Sequence, residues 1–444
     1  MVKVLAVLLV GGLSTACAAR STTHKSYIFP VVEIVAMDVG VNRVGRMMFE
    51  PATFDVTPSS IRQNLRGPWV VDDDPFQVNQ FGHPYQGAMY HGIARSNGLN
   101  YWASAVYTFA GSALWEIAGE TTPPSGNDQI ASGIAGSFLG EPLFRVSRLL
   151  LDRADGRPGF WRRLGSVLAS PPTGINDALV GTPAGLPSSE AVPLSDIRVQ
   201  FGVTAIPTSD SPSGYSLAVD QPRLALSMDH GYPGSASYRH ERPFDYFRIE
   251  SGVSDEGLEH LSTRGLIAGA DYGGERLGGI WGVYGSYDYF APAGFRFSST
   301  SASFGTTLQA SIARSLVLQT SGLVGGGYAA TFAEDQTDDF HYGVSPNALV
   351  NLRLIAGRRA AVDLTAREYF VSGFGGFGTG QRDSIFVGDA WLAFRVFGRH
   401  GLSLTYQRAG RTSDYLELPD QTRSSTTVGV FYTFLGSGGF GAVR

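Results

Sequence analysis

The reactive side chains of this sequence gather between residues 72 and 128: Asp72, Asp73, Asp74, His83, His91, Glu116, Glu120 and Asp128. An imidazole beside carboxylates can move protons, and three such groups together can hold a cation. His83, Glu116 and Asp128 are the candidates for a catalytic role. No pair among these residues has the His-Glu-x-x-His spacing of a recognised metal motif, so no metal and no cofactor is assigned. A second reading stands beside the first. Glu116 lies next to Trp115 on a predicted helix, and a buried carboxylate there needs a partner, for which Arg95 or a histidine is available. The group would then be a structural ion pair. Glu120, Glu141, Arg145 and Arg148 are read as structural or binding residues.

Nucleophile chemistry has less support. The chain has no Gly-x-Ser-x-Gly elbow. Of five further histidines, His230, His240, His260, His341 and His400, several fall near predicted strand ends or loops, where solvent exposure accounts for them, and no Ser–His strand pair emerges. The glycines from Gly322 to Gly327 are followed by neither a helix nor a lysine, which excludes a phosphate loop.

The elements that must position the candidates are helical. A first helix is expected over 27–49 and a short turn over 57–65, stopped by Gly67-Pro68. Residues 68–86 read as an ordered loop. A helix follows from Gly87 to Gly119, interrupted at Asn97-Gly98. Another runs from Asn127-Asp128 to Leu151 and a short one covers 159–169. On the first long helix Trp102, Val106, Phe109, Ala113 and Ile117 share one face, while Ser104, Thr108, Ser112, Glu116 and Glu120 recur every four residues as a polar stripe. Gly133, Gly136 and Gly140 permit close backbone approach on the second. The helical domain is placed at 27–170 and a Pro-, Gly- and Ser-rich linker at 171–196.

From 197 to 434 the pattern changes to period two. Trp281, Val283, Tyr287 and Tyr289 alternate with Tyr284, Ser286 and Asp288; Leu266, Ala268, Ala270 and Tyr272 share one face of their segment. About twelve such segments follow one another, long enough to cross hydrocarbon when tilted. An even number returns both barrel ends to one side of the membrane. The expected fold is mainly β: an antiparallel outer-membrane β-barrel of about twelve strands, preceded by an N-terminal α-helical domain and followed by a tail at 435–444. Arg248, Glu250, Asp288, Arg353, Asp363, Arg367, Asp389 and Arg395 fall on the polar faces and are the lumen candidates. Mixed signs there point to paired networks and not to a single-sign ion filter.

Composition agrees. Charged residues make up 16% of the chain, below the roughly 25% of a soluble average, and there are 57 glycines and 12% aromatics. A net charge of -5 without a basic stripe gives nucleic acid nothing to bind. Residues 1–19 read as a signal peptide: Lys3, a short apolar run from Val4 to Val10, then small residues. Two processing routes stay open there, lipid attachment at Cys17 or plain cleavage at Ala16-Cys17-Ala18. With one cysteine no intrachain disulfide forms. Export plus strands points to the outer membrane of a diderm bacterium, the helical domain lying in the periplasm or inside the lumen. The expected partners are outer-membrane lipids and a periplasmic or envelope component.

The stretch 62–148 resembles a bacterial family known as domain of unknown function 3943. The segments that carry the likeness are Asn64 to Trp102, the Trp115-Glu116 pair, Pro123 to Asp128, and Gly140-Glu141 with Arg145. His83, Glu116, Asp128, Glu141 and Arg145 match its pattern and His91 departs from it. The resemblance implies an exported helical region before a barrel-like C-terminus and no established activity. The function expected is therefore a structural or transport role in the cell envelope. The alternative is an enzyme that modifies envelope lipids or glycans through His83, Glu116 and Asp128.

Overall fold

The structure is a computed structural model that describes residues 25–49, 51–72, 74–152, 158–180, 195–211, 214–233, 238–274, 276–333, 340–376, 381–415, 419–436 and 439–442. These fall into two compact units that part between residues 192 and 193. Cys17 and the predicted signal peptide lie outside the described residues.

The first unit is helical. Helix α1 spans Phe29–Met48, α2 Pro58–Asn64, α3 His83–Ser96, α4 Tyr101–Ala118, α5 Gly126–Ile130, α6 Gly136–Leu151, α7 Phe160–Ala169 and α8 Pro171–Val180. Wider π-type turns at Val78–Gly82 and Ala131–Ala135 lead into α3 and α6. Helical structure thus resumes at 76, inside the stretch expected to be loop. The interruption falls where Asn97-Gly98 places it, because Gly98 takes a positive φ of 85° and Asn100 then caps α4 by accepting from the Ala103 amide. Residues 171–180, expected to open a linker, form α8 instead. Two consecutive prolines are tolerated there because the first helical turn has no amide partner to lose.

α3 and α6 cross at near backbone contact. A Cβ on Gly136 would stand 2.6 Å from the Gly87 Cα, and one on Gly87 would stand 2.0 Å from the Ser132 carbonyl oxygen. Small residues likewise decide the orientation of α4. Its stripe of Ser104, Thr108, Ser112 and Glu116 is the buried face, while Trp102, Val106 and Phe109 are exposed. Short hydroxyl side chains let the helices approach, and Thr108 satisfies its hydroxyl on the Ser104 carbonyl.

The second unit is a closed antiparallel barrel of twelve strands, each paired with its sequence neighbours and β1 with β12. The strands are β1 Ser195–Ser211, β2 Gly214–His230, β3 Phe247–Ser254, β4 Gly257–Gly274, β5 Leu277–Phe290, β6 Phe295–Ala313, β7 Leu316–Ala333, β8 His341–Ala356, β9 Ala360–Gly376, β10 Arg382–Phe397, β11 His400–Asp414 and β12 Gln421–Leu435. Closure leaves no sheet edge unpaired. Alternation is sharp: on β8 Val350, Leu352 and Leu354 are exposed whereas Asn351 and Arg353 are buried. Phe201, Phe304, Phe386, Phe394, Leu402, Leu404 and Val430 are exposed on the other strands. Apolar side chains outside and polar ones inside are what hydrocarbon demands of a spanning barrel, so this is a barrel of the outer-membrane type. No helix among the described residues is long and apolar enough to cross a membrane.

A bulge corrects one predicted face. The pairing slips between Leu266 and Ala268, so Leu266 turns inward opposite Tyr284 while Ala268 stays outward opposite Val283. Tyr287 and Tyr289 share the outward parity of Trp281 and Val283, yet they are buried. Segments outside the wall also line the interior. From the β2–β3 connection Tyr232, Tyr238 and Tyr246 pack against Leu266, Ile280, Tyr284 and Leu323. After β12 the chain turns back, so that Phe440 meets Trp391 edge-on and the Gly441 carbonyl accepts from Gln319 at 3.0 Å.

Candidate functional site

Three helix ends converge on the first site. His83 opens α3, Glu116 lies in the last turn of α4, and Asp128 lies in the first turn of α5. Ser125 caps α5 by accepting from the Asp128 amide at 3.2 Å, which fixes that carboxylate's direction. All three side chains are buried, and one donor atom from each lies within 4.8 Å of the others. His83 Nε2 stands 3.7 Å from Asp128 Oδ2. Glu116 Oε2 accepts from the Ser125 amide at 2.8 Å. Asp72 adds a third carboxylate, accepting from Asn79 and Asn127 at 2.7 and 3.0 Å. Glu120 accepts from the Trp115 indole at 3.1 Å and from Thr122 at 3.1 Å.

Burial dominates the electrostatics here. It pushes the Glu116 carboxyl up to about 8, against the pull of His83 and with the push of Asp128. Asp128 is raised well above the usual range by burial and then by Asp72. Burial raises Glu120 as well. Among the described residues no arginine or lysine pairs with Glu116 or Asp128, so the ion pair envisaged between Glu116 and Arg95 does not form.

Arg95 serves a second centre. Glu141 on α6 is fully buried and takes Arg95 Nε at 2.8 Å, Arg145 Nε at 2.9 Å and His91 Nε2 at 3.0 Å. Burial alone would raise its carboxyl, but the two guanidiniums and the imidazole hold it far below the carboxylate range. Burial in turn lowers His91. Arg148 stands apart, 3.5 Å from Asp177 on α8. A third buried group was not legible in the sequence: Tyr90 donates to Asp38 Oδ1 at 2.5 Å, and burial pushes Asp38 up to about 8.

The barrel interior is crossed by ion pairs. Arg353 on β8 binds Asp363 on β9 at 2.7 Å and Asp229 on β2 at 2.9 Å. Arg248 on β3 binds Glu250 at 2.7 Å and Asp363 at 3.2 Å. Arg367 on β9 binds Asp389 on β10 at 2.8 Å and Glu250 at 3.1 Å. Asp288 accepts from Tyr369 at 2.9 Å. A cavity of about 120 Å³ remains beside these groups, lined by Arg223, Arg248, Glu250, His260, Arg367 and Asp389 among others. Arg395 sits near the end of β10, partly exposed, and donates to the Gly398 carbonyl at 3.5 Å. His341 is not solvent-exposed. It is fully buried 3.0 Å from Asp383, which also takes Arg411 at 3.2 Å and Thr331 at 2.9 Å. The inward parity of Asp383 and Arg411 is the signal that would have revealed this group.

Solved structures that resemble the chain include an outer membrane channel from Pseudomonas putida F1, 11% identical, covering 56% of this chain and 99% of that one at a TM-score of 0.29. OmpT of Vibrio cholerae, an outer membrane protein, is 6% identical over 57% of this chain and 100% of its own, with a TM-score of 0.24. The outer membrane channel DcaP of Acinetobacter baumannii is 9% identical over 57% and 99%, with a TM-score of 0.22. Likeness at this level says nothing of activity, and the closed barrel stands on the chain's own strand pairing. No curated protein matches the sequence. Residues 68–172 match a protein family, and they contain His83, Glu116, Asp128 and Glu141. The matching family model, which lies within the helical unit, is described as Domain of unknown function (DUF3943).

Proposed function

We propose that this chain is an outer-membrane protein whose barrel is a closed anchor for its helical domain and not an open diffusion pore. One observation carries the reading: Arg248 and Glu250 on β3 are ion-paired to Asp363 and Arg367 on β9, the strand six places away in either direction round a twelve-stranded ring. Charges that bridge the full width of a lumen occupy the path a solute would take. Apart from the long β2–β3 connection, the turns on the side of both barrel ends, joining β4 to β5, β6 to β7, β8 to β9 and β10 to β11, are short. Short turns mark the periplasmic side of such barrels, which supports a periplasmic helical domain. Purified protein in a planar bilayer should be electrically silent and should fractionate with the outer membrane; steady conductance of porin size would overturn the anchor.

A second reading, an enzyme acting on envelope lipids or glycans, is favoured by the convergence of His83, Glu116 and Asp128 within 4.8 Å. Under it, His83→Gln or Glu116→Gln alters the envelope lipid or glycan profile while the protein remains folded. An unchanged profile removes this reading and leaves the anchor untouched.

A further inference from the structure

We infer that His83, Glu116 and Asp128 form a binding site for one divalent first-row transition cation. The argument begins with charge. Two buried carboxylates face one imidazole, with Asp72 behind them, and no guanidinium or ammonium among the described residues neutralises them. The contrast within the same unit is direct. Glu141, equally buried, is met by two arginines and a histidine. Buried carboxylates are paired, protonated or bound to a metal, and here only the last two remain.

The imidazole separates those two. His83 is 6% exposed, yet neither of its nitrogens is hydrogen-bonded among the described residues. Nε2 stops 3.7 Å from Asp128 Oδ2, beyond hydrogen-bond reach, and Nδ1 is buried without a partner. A proton shared between Asp128 and Asp72 would relieve that carboxylate's burial, but it would still leave the buried His83 imidazole without a hydrogen-bond partner. A gap held open between an unsatisfied nitrogen and two carboxylate oxygens is instead the size of an ion. Zinc lies about 2.0–2.2 Å from nitrogen and oxygen ligands, so it spans donors up to about 4.2 Å apart. The observed limit of 4.8 Å requires adjustments of a few tenths of an ångström at each ligand.

The surroundings have the character of an outer ligand shell. Glu116 keeps one oxygen on the Ser125 amide, and Asp128 Oδ1 accepts from Asn127 at 3.3 Å, leaving Oδ2 toward His83. Hydrogen bonds of this kind orient metal ligands. One nitrogen and two oxygens suit zinc, manganese or ferrous iron and lack the sulfur that copper(I) prefers. Three protein ligands also leave a coordination position for water, the pattern of catalytic rather than closed structural sites.

The test uses the full chain in detergent, stripped with chelator and then titrated with zinc chloride or cobalt(II) chloride. The expected result is one equivalent bound, with a cobalt d–d absorption band, and a loss of at least tenfold in affinity in His83→Gln, Glu116→Gln and Asp128→Asn. Asp55→Asn, at an exposed carboxylate of the same unit that pairs with Arg46, should bind as the wild type does. Stripped wild-type protein that takes up no stoichiometric metal overturns the proposal, whether or not the variants fold. So does binding that persists unchanged in all three folded variants. Because the readout is the metal and not a reaction, its failure is independent of the anchor and enzyme readings alike.

Discussion

Arg248 on β3 donates to Asp363 on β9 across the whole width of the barrel, at 3.2 Å. Asp363 is also bound by Arg353 at 2.7 Å. Removing Arg248 therefore clears space without leaving Asp363 unpaired. Arg248→Ala is expected to convert a silent barrel into one with resolvable single-channel openings, and Arg248→Ala with Arg367→Ala to enlarge them. Planar-bilayer recording checks both, and silence in the double variant would show that other groups seal the lumen.

Leu352 and Asn351 are neighbours on β8 with opposite surroundings, the first exposed and the second buried. If the outer surface meets hydrocarbon, Leu352→Arg costs about 2–4 kcal/mol near the bilayer midplane. Leu352→Val should cost far less. Reversible unfolding in lipid vesicles measures the difference, and equal stability of the two variants would contradict a lipid-facing β8.

In the helical unit, Glu141→Gln leaves Arg95, Arg145 and His91 without the carboxylate they share. Breaking a buried charge network on one side costs about 3–5 kcal/mol. The expected outcome is a lower melting temperature for helix loss with barrel mobility on heated gels unaffected. Arg145→Met should be milder, because Arg95 and His91 remain on Glu141.

Asp38 gives a pH signature. Its carboxyl, raised by burial to about 8, holds a proton in the folded state that an unfolded aspartate releases near about pH 3.9. The folded state thus binds more protons between those values, so this contribution to stability is complete below the lower one and disappears as pH climbs through about 8. Glu116, also raised to about 8, acts with the same sign. The helical unit should melt at lower temperature at pH 9 than at pH 5, and Asp38→Asn should flatten part of that slope. A melting temperature that rises over this interval would contradict protonated Asp38.

Most of the architecture was legible because period two and period 3.6 are written locally. The strand count, the break at Asn97-Gly98 and the glycines of α6 all follow from near neighbours in sequence. The exceptions share a cause. Leu266 faces inward because of a bulge, which one residue of slippage produces and no alternation reveals. The polar stripe of α4 is visible in sequence, but not that helix approach through small residues buries it. At the site, the density of reactive side chains offered His83, Glu116 and Asp128, and the structure unites them. The partner of Arg95 is Glu141 on another helix, a long-range fact that spacing does not encode. His341 illustrates the limit from the other side: a strand-end position suggested water, and Asp383 and Arg411, from two other strands, enclose it.

Strand β3 has eight residues, fewer than any of its neighbours. Among the described residues it is zipped to β2 and to β4 by eight register pairs each, against fourteen between β4 and β5. It is the shortest stave in the cask, and a wall under thermal or mechanical load parts where the fewest backbone bonds resist. Yet β3 bears Arg248 and Glu250, each braced on β9. The charges that fill the bore are thus also struts, pinning the weakest stave to the far wall. Neutralising them would loosen the hoop as well as clear its centre.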